Sequence, residues 1–224
     1  MTAQPQDHRT RPRKQPRQVR AQHTVAAIIE ASARILEEQG HRGFTTNAVA
    51  ELAGTSIGTL YQYFPDKDAL LGALIARETS RLVEEVEVAS IVVAGRGALN
   101  GVIEAAVRHQ MRRPRLARLL DFEEARLPFD VDTQFVRARI VTLLADILAR
   151  PDLPHQSDAV SATGDVLAII RGMIDAAGER GEEQQAQLIV RVRRAVLGYL
   201  SMPDSAEACL SSADADKHAP IQVS

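Results

Sequence analysis

The stretch TTNAVAELAGTSIGTLYQYFPDK, Thr45 to Lys67, holds two short helical patterns joined by a tight turn. Val49, Leu52 and Ala53 are apolar at helical spacing, Gly54 interrupts them, and Ile57, Leu60 and Phe64 resume the pattern. Thr45 is placed to cap the first helix by accepting a bond from a backbone N–H two or three residues on, and Ser56 to cap the second. Gly54 stands where a left-handed residue ends a helix, a conformation glycine takes without a Cβ clash. Two helices crossing through such a turn make a helix-turn-helix, whose second helix enters the DNA major groove. The outward face of that helix is Gly58, Thr59, Tyr61, Gln62 and Tyr63, which is small, polar and aromatic and suits close contact with base edges and phosphates.

These residues resemble the DNA-binding domain of TetR-family bacterial repressors, in which a TT-x-x-x-A-x-x-A-G run is followed by G-T-L-Y-x-Y-F and then a lysine. The matching positions are Thr45, Thr46, Ala50, Ala53 and Gly54, then Gly58 to Tyr61, Tyr63, Phe64 and Lys67. The resemblance runs over about residues 21 to 88 and beyond that is one of layout. It implies a palindromic operator, a homodimer, and a C-terminal domain that encloses a small-molecule effector among its middle helices. By position and type His109, Met111, Phe122, Phe129, Phe135 and Met173 are candidates for that lining, each weighed against a plain place in the core.

Composition bears out a helical reading. Apolar residues make up 45% of the 224, aromatics only 4%, and there is no Trp, which points to aliphatic packing rather than strands. No run of 18 apolar residues exists to span a membrane, and no apolar segment follows the basic N-terminus as in a secretory signal. Cys209 is the single cysteine, so no disulfide forms within one chain, which fits the cytoplasm. The net charge of −2 conceals an asymmetry. Residues 1–20 hold Arg9, Arg11, Arg13, Lys14, Arg17 and Arg20 against Asp7, a net of +5, which leaves −7 for the rest. Between 21 and 68 only Arg34, Arg42 and Lys67 are basic, against six acids. Phosphate neutralisation dominates non-specific affinity. The leader is therefore expected to be disordered when free and to order on phosphates or in a minor groove when bound.

Proline and glycine divide the remainder into helices. The patterns predict Gln22–Gln39, the two motif helices, a long helix opened by Pro65-Asp66 and running to Ala89, then Gly95–Met111, Arg115–Arg126, Val131–Arg150, Ser157–Ala177 and Glu182–Leu200. That is an all-α chain of about nine helices. It divides into a basic leader (1–20), a DNA-binding domain (21–68), an effector-binding and dimerisation domain (69–202), and a disordered tail (203–224). Val49, Leu52, Leu60 and Phe64 are expected to meet the stripe of the first helix, with Phe44 as plug. The helix over 157–177 is apolar around most of its circumference, with Gly164, Ala168, Gly172 and Ala176 recurring every four residues. Part of it packs on the helix over 182–200, and the remaining apolar face predicts a two-fold four-helix bundle between subunits.

The candidate DNA-contacting residues are Thr45, Thr46, Asn47, Ser56, Gly58, Thr59, Tyr61, Gln62, Tyr63 and Lys67. Asn47 has the amide for a bidentate adenine contact and Thr46 the hydroxyl for a phosphate, although both can serve as helix-start residues alone. Relatives often carry a basic residue at the Asn47 position, so no guanine contact is carried over. Lys67 is expected to aim its charge at a phosphate. Asp121, Glu123 and Glu124, beside Arg118 and Arg126, read as a solvated helix face. The histidines show no metal-ligand spacing, and no phosphate loop or hydrolase motif occurs, so neither enzyme nor cofactor is indicated. The expectation is a repressor released from its operator when an effector makes the long helices from Asp66 pivot apart. The alternatives are a non-specific architectural DNA binder and a helical small-molecule-binding protein without an operator.

Overall fold

The computed structural model describes residues 16–126 and 131–202; the side chains of 16–18, 124–126 and 131–137 lie outside the description. Most of the leader, the tail with Cys209, and Phe129 therefore fall outside the described residues, as does the side chain of Phe135. Among the described residues every regular element is a helix: α1 (Pro16–Gly43), α2 (Thr46–Leu52), α3 (Ile57–Tyr63), α4 (Lys67–Ser90), α5 (Gly95–Arg112), α6 (Pro114–Arg126), α7 (Val131–Leu148), α8 (Ala159–Glu179) and α9 (Gln185–Ser201). The chain divides into two compact units, Met1–Leu74 and Ile75–Ser224, with the boundary inside α4.

In the first unit α1 packs on α2 and α2 on α3. Ile28, Leu36, Phe44, Val49, Leu60, Leu70, Leu71 and Leu74 are buried, and the buried Ser32 hydroxyl donates to the Ile28 carbonyl at 2.9 Å. Helix α1 begins at Pro16, well before Gln22, so it takes in the end of the basic leader; proline suits a first helical turn. For the same reason Pro114 opens α6 rather than closing the helix before it. Leu52, expected in the core, is 40% exposed. At about 100° per residue, Val49, Ala50 and Ala53 share one side of α2 and Leu52 falls on the flank. Ile57 is likewise 38% exposed, at the first residue of α3.

The join between α2 and α3 is a Schellman turn. The Thr55 N–H donates to the Ala50 carbonyl at 3.0 Å and the Gly54 N–H to Glu51 at 3.1 Å, with Gly54 at φ +65°. Thr45 Oγ1 accepts from the Ala48 N–H at 3.2 Å, Ser56 Oγ from Thr59 at 3.0 Å, and Asp66 Oδ1 from Ala69 at 2.8 Å. Three consecutive helices thus carry side-chain caps.

In the second unit α5 is central and packs on α6, α7, α8 and α9. Leu99, Ile103, Leu144, Ile147, Val166 and Val192 lie at the middle of one apolar core. The N-terminus of α5 has no cap of its own, because Ala94 has no side-chain acceptor. Asp152 supplies it from across the chain: its carboxylate accepts from the Gly95 N–H at 2.7 Å and from Arg96 at 3.0 Å. Arg150 beside it donates to the carbonyls of Ser90 and Val92. The inner side of α8 (Val166, Ile170, Ile174) is buried against α9 residues Leu188, Val192 and Val196. The opposite side is exposed at Gly164, Ala168 and Gly172, as is Gly198 on α9, and a Cβ built on any of the three glycines meets nothing within 4 Å.

Two outcomes follow from these ends. A Cβ at Gly54 also meets nothing, so Gly54→Ala is charged only for its left-handed backbone, about 1–2 kcal/mol of unfolding free energy. Gly72→Ala, within α4 and equally open, stabilises by up to ~1 kcal/mol. Urea denaturation of the two variants should therefore move in opposite directions. The backbone bonds from Arg96 and Gly95 hold the Asp152 carboxyl below the usual range. Its contribution is present above the ordinary aspartate pKa of about 3.9 and is lost as pH falls through the depressed native value. Asp152→Ala should therefore lower stability at pH 7 and flatten the acid limb of the stability curve below about pH 4.

Candidate nucleic-acid interface and ligand cavity

Helix α3 has seven residues and buries only Leu60 fully, so its other faces remain outside. Tyr61 is 50% and Tyr63 38% exposed, with Gly58 and Gln62 also outward. A Cβ at Gly58 would meet only Ser56 Oγ, at 3.9 Å. Asn47, Thr45 and Ser56 are exposed, and Thr46 and Thr59 are half-buried. The structure thus brings the residues read from the sequence onto the outer side of α2 and α3. It also joins them to one another. Thr46 Oγ1 and the Tyr61 hydroxyl lie 3.2 Å apart, and Ser56 Oγ and Thr59 Oγ1 2.8 Å apart. The first bond ties the start of α2 to the middle of α3 and orients the tyrosine that lies outermost.

Lys67 is placed differently from the expectation of a charge aimed outward. Its ammonium donates to the His41 carbonyl at 3.3 Å and sits 5.2 Å from the centre of the Phe44 ring. That position fixes the end of α1 against the start of α4 within the first unit. It leaves two further N–H donors on the same nitrogen. Lys67, Thr45, Thr46 and Tyr61 line one hollow together with His41 and Arg42. The sequence showed Arg42 as one of few cations in this region but did not group it with the motif, since Gly43 and Phe44 intervene.

The second unit holds a cavity of about 440 Å³ among residues of α4 to α8. Its walls are largely aliphatic, with Leu82, Leu116, Leu120, Ile140, Ile170 and Ile174 among them. His109 lines it, with Nδ1 buried and without a partner among the described residues. Burial pushes the His109 imidazole below the ordinary histidine range, with Arg112 adding to this and Glu78 and Glu85 opposing it. The ring is therefore neutral near pH 7. Of the other sequence candidates, Met111 and Met173 pack against the apolar core rather than lining the cavity, and Phe122 is 64% exposed. Phe129 and the Phe135 side chain lie outside the described residues.

The polar lining was not legible in the sequence. Glu78 faces the cavity from α4; burial disfavours its charge, but Arg77 at 2.5 Å and Arg81 at 3.1 Å outweigh that and lower its pKa. Arg112 is bonded to Glu85. Asp121 of α6 lines the cavity and accepts from Gln110 Nε2 at 3.1 Å, while its neighbour Glu123 is 4% exposed. The expected solvated face of Asp121 and Glu123 is thus turned inward. Asp175 of α8 completes the set, with its pKa raised by burial and by Asp121, against the opposing charge of Arg171. Among the described residues no group of three acids, histidines or cysteines is placed to hold a metal, and no helix is long and apolar enough to cross a membrane.

Two short helices set by a left-handed glycine, with a polar, tyrosine-bearing face on the second, define a helix-turn-helix protein. Residues 28–74 match the bacterial regulatory proteins of the tetR family, and residues 96–200 match the tetracyclin repressor-like C-terminal domain. The chain belongs to the TetR family. The HTH-type transcriptional repressor KstR of Mycobacterium tuberculosis is 30% identical over 110 residues, covering 47% of this chain and 50% of that one. The chain thus spans half the length of this curated relative. The transcriptional regulator TtgR of Pseudomonas putida is 26% identical over 167 residues, 69% of this chain and 80% of its own. The fold matches the fatty acid degradation regulator FadR of Bacillus halodurans with a TM-score of 0.64 at 16% identity, over 80% of this chain and 99% of that one.

The Thr46–Tyr61 bond has a direct test. Thr46→Val and Tyr61→Phe each remove it, and the double variant should cost no more than the costlier single change. The double-mutant cycle should give a coupling of about 0.5–1 kcal/mol in unfolding free energy. Strictly additive values would show that the two hydroxyls do not stabilise the α2–α3 pair through each other.

Proposed function

We propose that this chain is a sequence-specific DNA-binding transcriptional repressor that works as a homodimer and leaves a palindromic operator when a small molecule binds its second unit. The observation that carries the reading is the outward face of α3, where Gly58, Tyr61, Gln62 and Tyr63 stand clear of the core on a helix whose ends are both fixed. Gln62 and Asn47 supply amides for base edges, whereas Tyr61, Thr59, Thr46 and the remaining donors of Lys67 supply bonds to phosphates. The first unit is poor in cations, so the basic leader is the source of most electrostatic grip.

Dimerisation through the exposed sides of α8 and α9 sets the half-site spacing. Small residues at Gly164, Ala168 and Gly172 would let the partner backbone approach closely. The cavity beside His109 is the effector site. Binding there favours a state of the dimer in which the two recognition helices no longer match successive grooves, and the shift is limited by the effector's differential affinity for the two states.

Selection of bound duplexes from a random pool at near-physiological salt tests the reading. A palindromic motif is expected, and it should survive removal of the leader with weaker affinity. Gln62→Ala and Asn47→Ala should each relax preference at one position by ~1–3 kcal/mol, while Tyr61→Ala weakens binding to all sequences. Binding without a motif, wholly dependent on the leader, would favour a non-specific DNA binder instead.

A further inference from the structure

The cavity's charges fall into two kinds. At one side Glu78 is matched by Arg77 and Arg81, and Arg112 is matched by Glu85. These pairs neutralise one another and leave aliphatic walls and one neutral imidazole. At the side built by α6 and α8 the balance fails. Asp121 has a neutral amide, Gln110 Nε2, as its hydrogen-bond partner. Asp175 has Arg171 one helical turn away, at 3.6 Å and half-exposed. Glu179 adds a further negative charge on the same helix, and the nearby Arg118 guanidinium is bound to the Gly178 carbonyl. Two carboxylates therefore share one guanidinium at the edge of an apolar chamber.

We propose that this cavity takes an apolar organic cation, with its protonated nitrogen held between Asp121 and Asp175 and its hydrocarbon body against Leu116, Leu120, Ile170 and Ile174. The proposal rests on the reading of the cavity as the effector site and adds the chemical class of the effector. Desolvated carboxylates gain most from an opposite charge brought into contact with them, and the aliphatic walls favour the rest of such a molecule over water. An anionic ligand meets the opposite situation, since it would have to displace Glu85 from Arg112 or lie against the two aspartates. The depression of Asp175 ionisation by Asp121 is relieved by a bound cation, so ligand binding and proton release are coupled. His109 Nδ1, buried and unpartnered among the described residues, offers a second polar contact to a ligand long enough to reach it.

The probes are three molecules of one chain length, dodecylamine, dodecanol and dodecanoate, titrated below their aggregation limits into the full-length protein at pH 7 by calorimetry. The amine is expected to bind at least tenfold more tightly than the alcohol, and the carboxylate more weakly than either. Asp121→Asn with Asp175→Asn should bring the amine to the affinity of the alcohol while leaving the alcohol unchanged, and lowering the pH toward 5 should weaken the amine alone. Equal binding of all three, or preference for the carboxylate, overturns the cation assignment and leaves the cavity as an effector site for another class. Binding of none of them overturns the assignment and the effector reading together. The ranking on the unmodified protein decides the matter even if the double variant does not fold.

Discussion

The left-handed backbone of Gly54 is the constraint on which the reading surface depends. A seven-residue helix has too few internal hydrogen bonds to stand alone, and nucleating one is unfavourable in water. Helices α2 and α3 persist because nearly every orphan group at their ends finds a partner: Thr45 and Ser56 at the starts, and the Schellman pair of Thr55 and Gly54 between them. With the backbone satisfied in this way, α3 does not need its side chains for its own stability beyond Leu60. Tyr61, Gln62 and Tyr63 are free to face outward, and the Thr46–Tyr61 bond holds the outermost of them in one direction.

The first unit was therefore largely legible in the sequence, because its signals are local. Caps, a turn glycine and an i, i+3 stripe are all properties of a few neighbouring residues. Leu52 was misplaced because spacing alone does not say where the centre of a stripe lies, and the small Ala50 and Ala53 rather than the larger Leu52 mark it. Lys67 was legible as a cation but not as one held over Phe44, a contact between residues far apart in the chain. The second unit was legible only as helices. An aspartate turned into a cavity and one turned into solvent have the same neighbours in sequence, so Asp121 and Asp175 gave no sign of their place. Aromatic and sulfur-bearing residues were the natural guesses for a lining. Instead Met111 and Met173 fill gaps in the core, which their flexible side chains suit, and the lining is aliphatic and charged.

Around α5 the packing is organised by long-range bonds rather than by local ones. Asp152 and Arg150 close both ends of the turn between α4 and α5 from a short turn after α7, so three helix ends share one polar junction. Gly95 lies so close to it that a Cβ would sit 2.8 Å from Asp152 Oδ1. That junction lets the apolar cluster behind it remain free of unsatisfied backbone groups, while the polar lining of the cavity is confined to the other side of the unit.

The open glycines of α8 and α9 carry a further consequence. Each of Gly164, Gly172 and Gly198 weakens its helix by up to about 1 kcal/mol relative to alanine, and within one subunit no neighbour requires the missing methyl. An isolated subunit thus bears the loss without any return, whereas a close-packed pair recovers it. On the dimeric reading, stability then becomes a function of how many copies a cell contains, because dilution favours the weaker single chain. Scarce copies are the ones most exposed to proteolysis, and abundant copies protect one another. Three absent methyl groups would in this way link the number of molecules in the cell to their lifetime, independently of any ligand or operator.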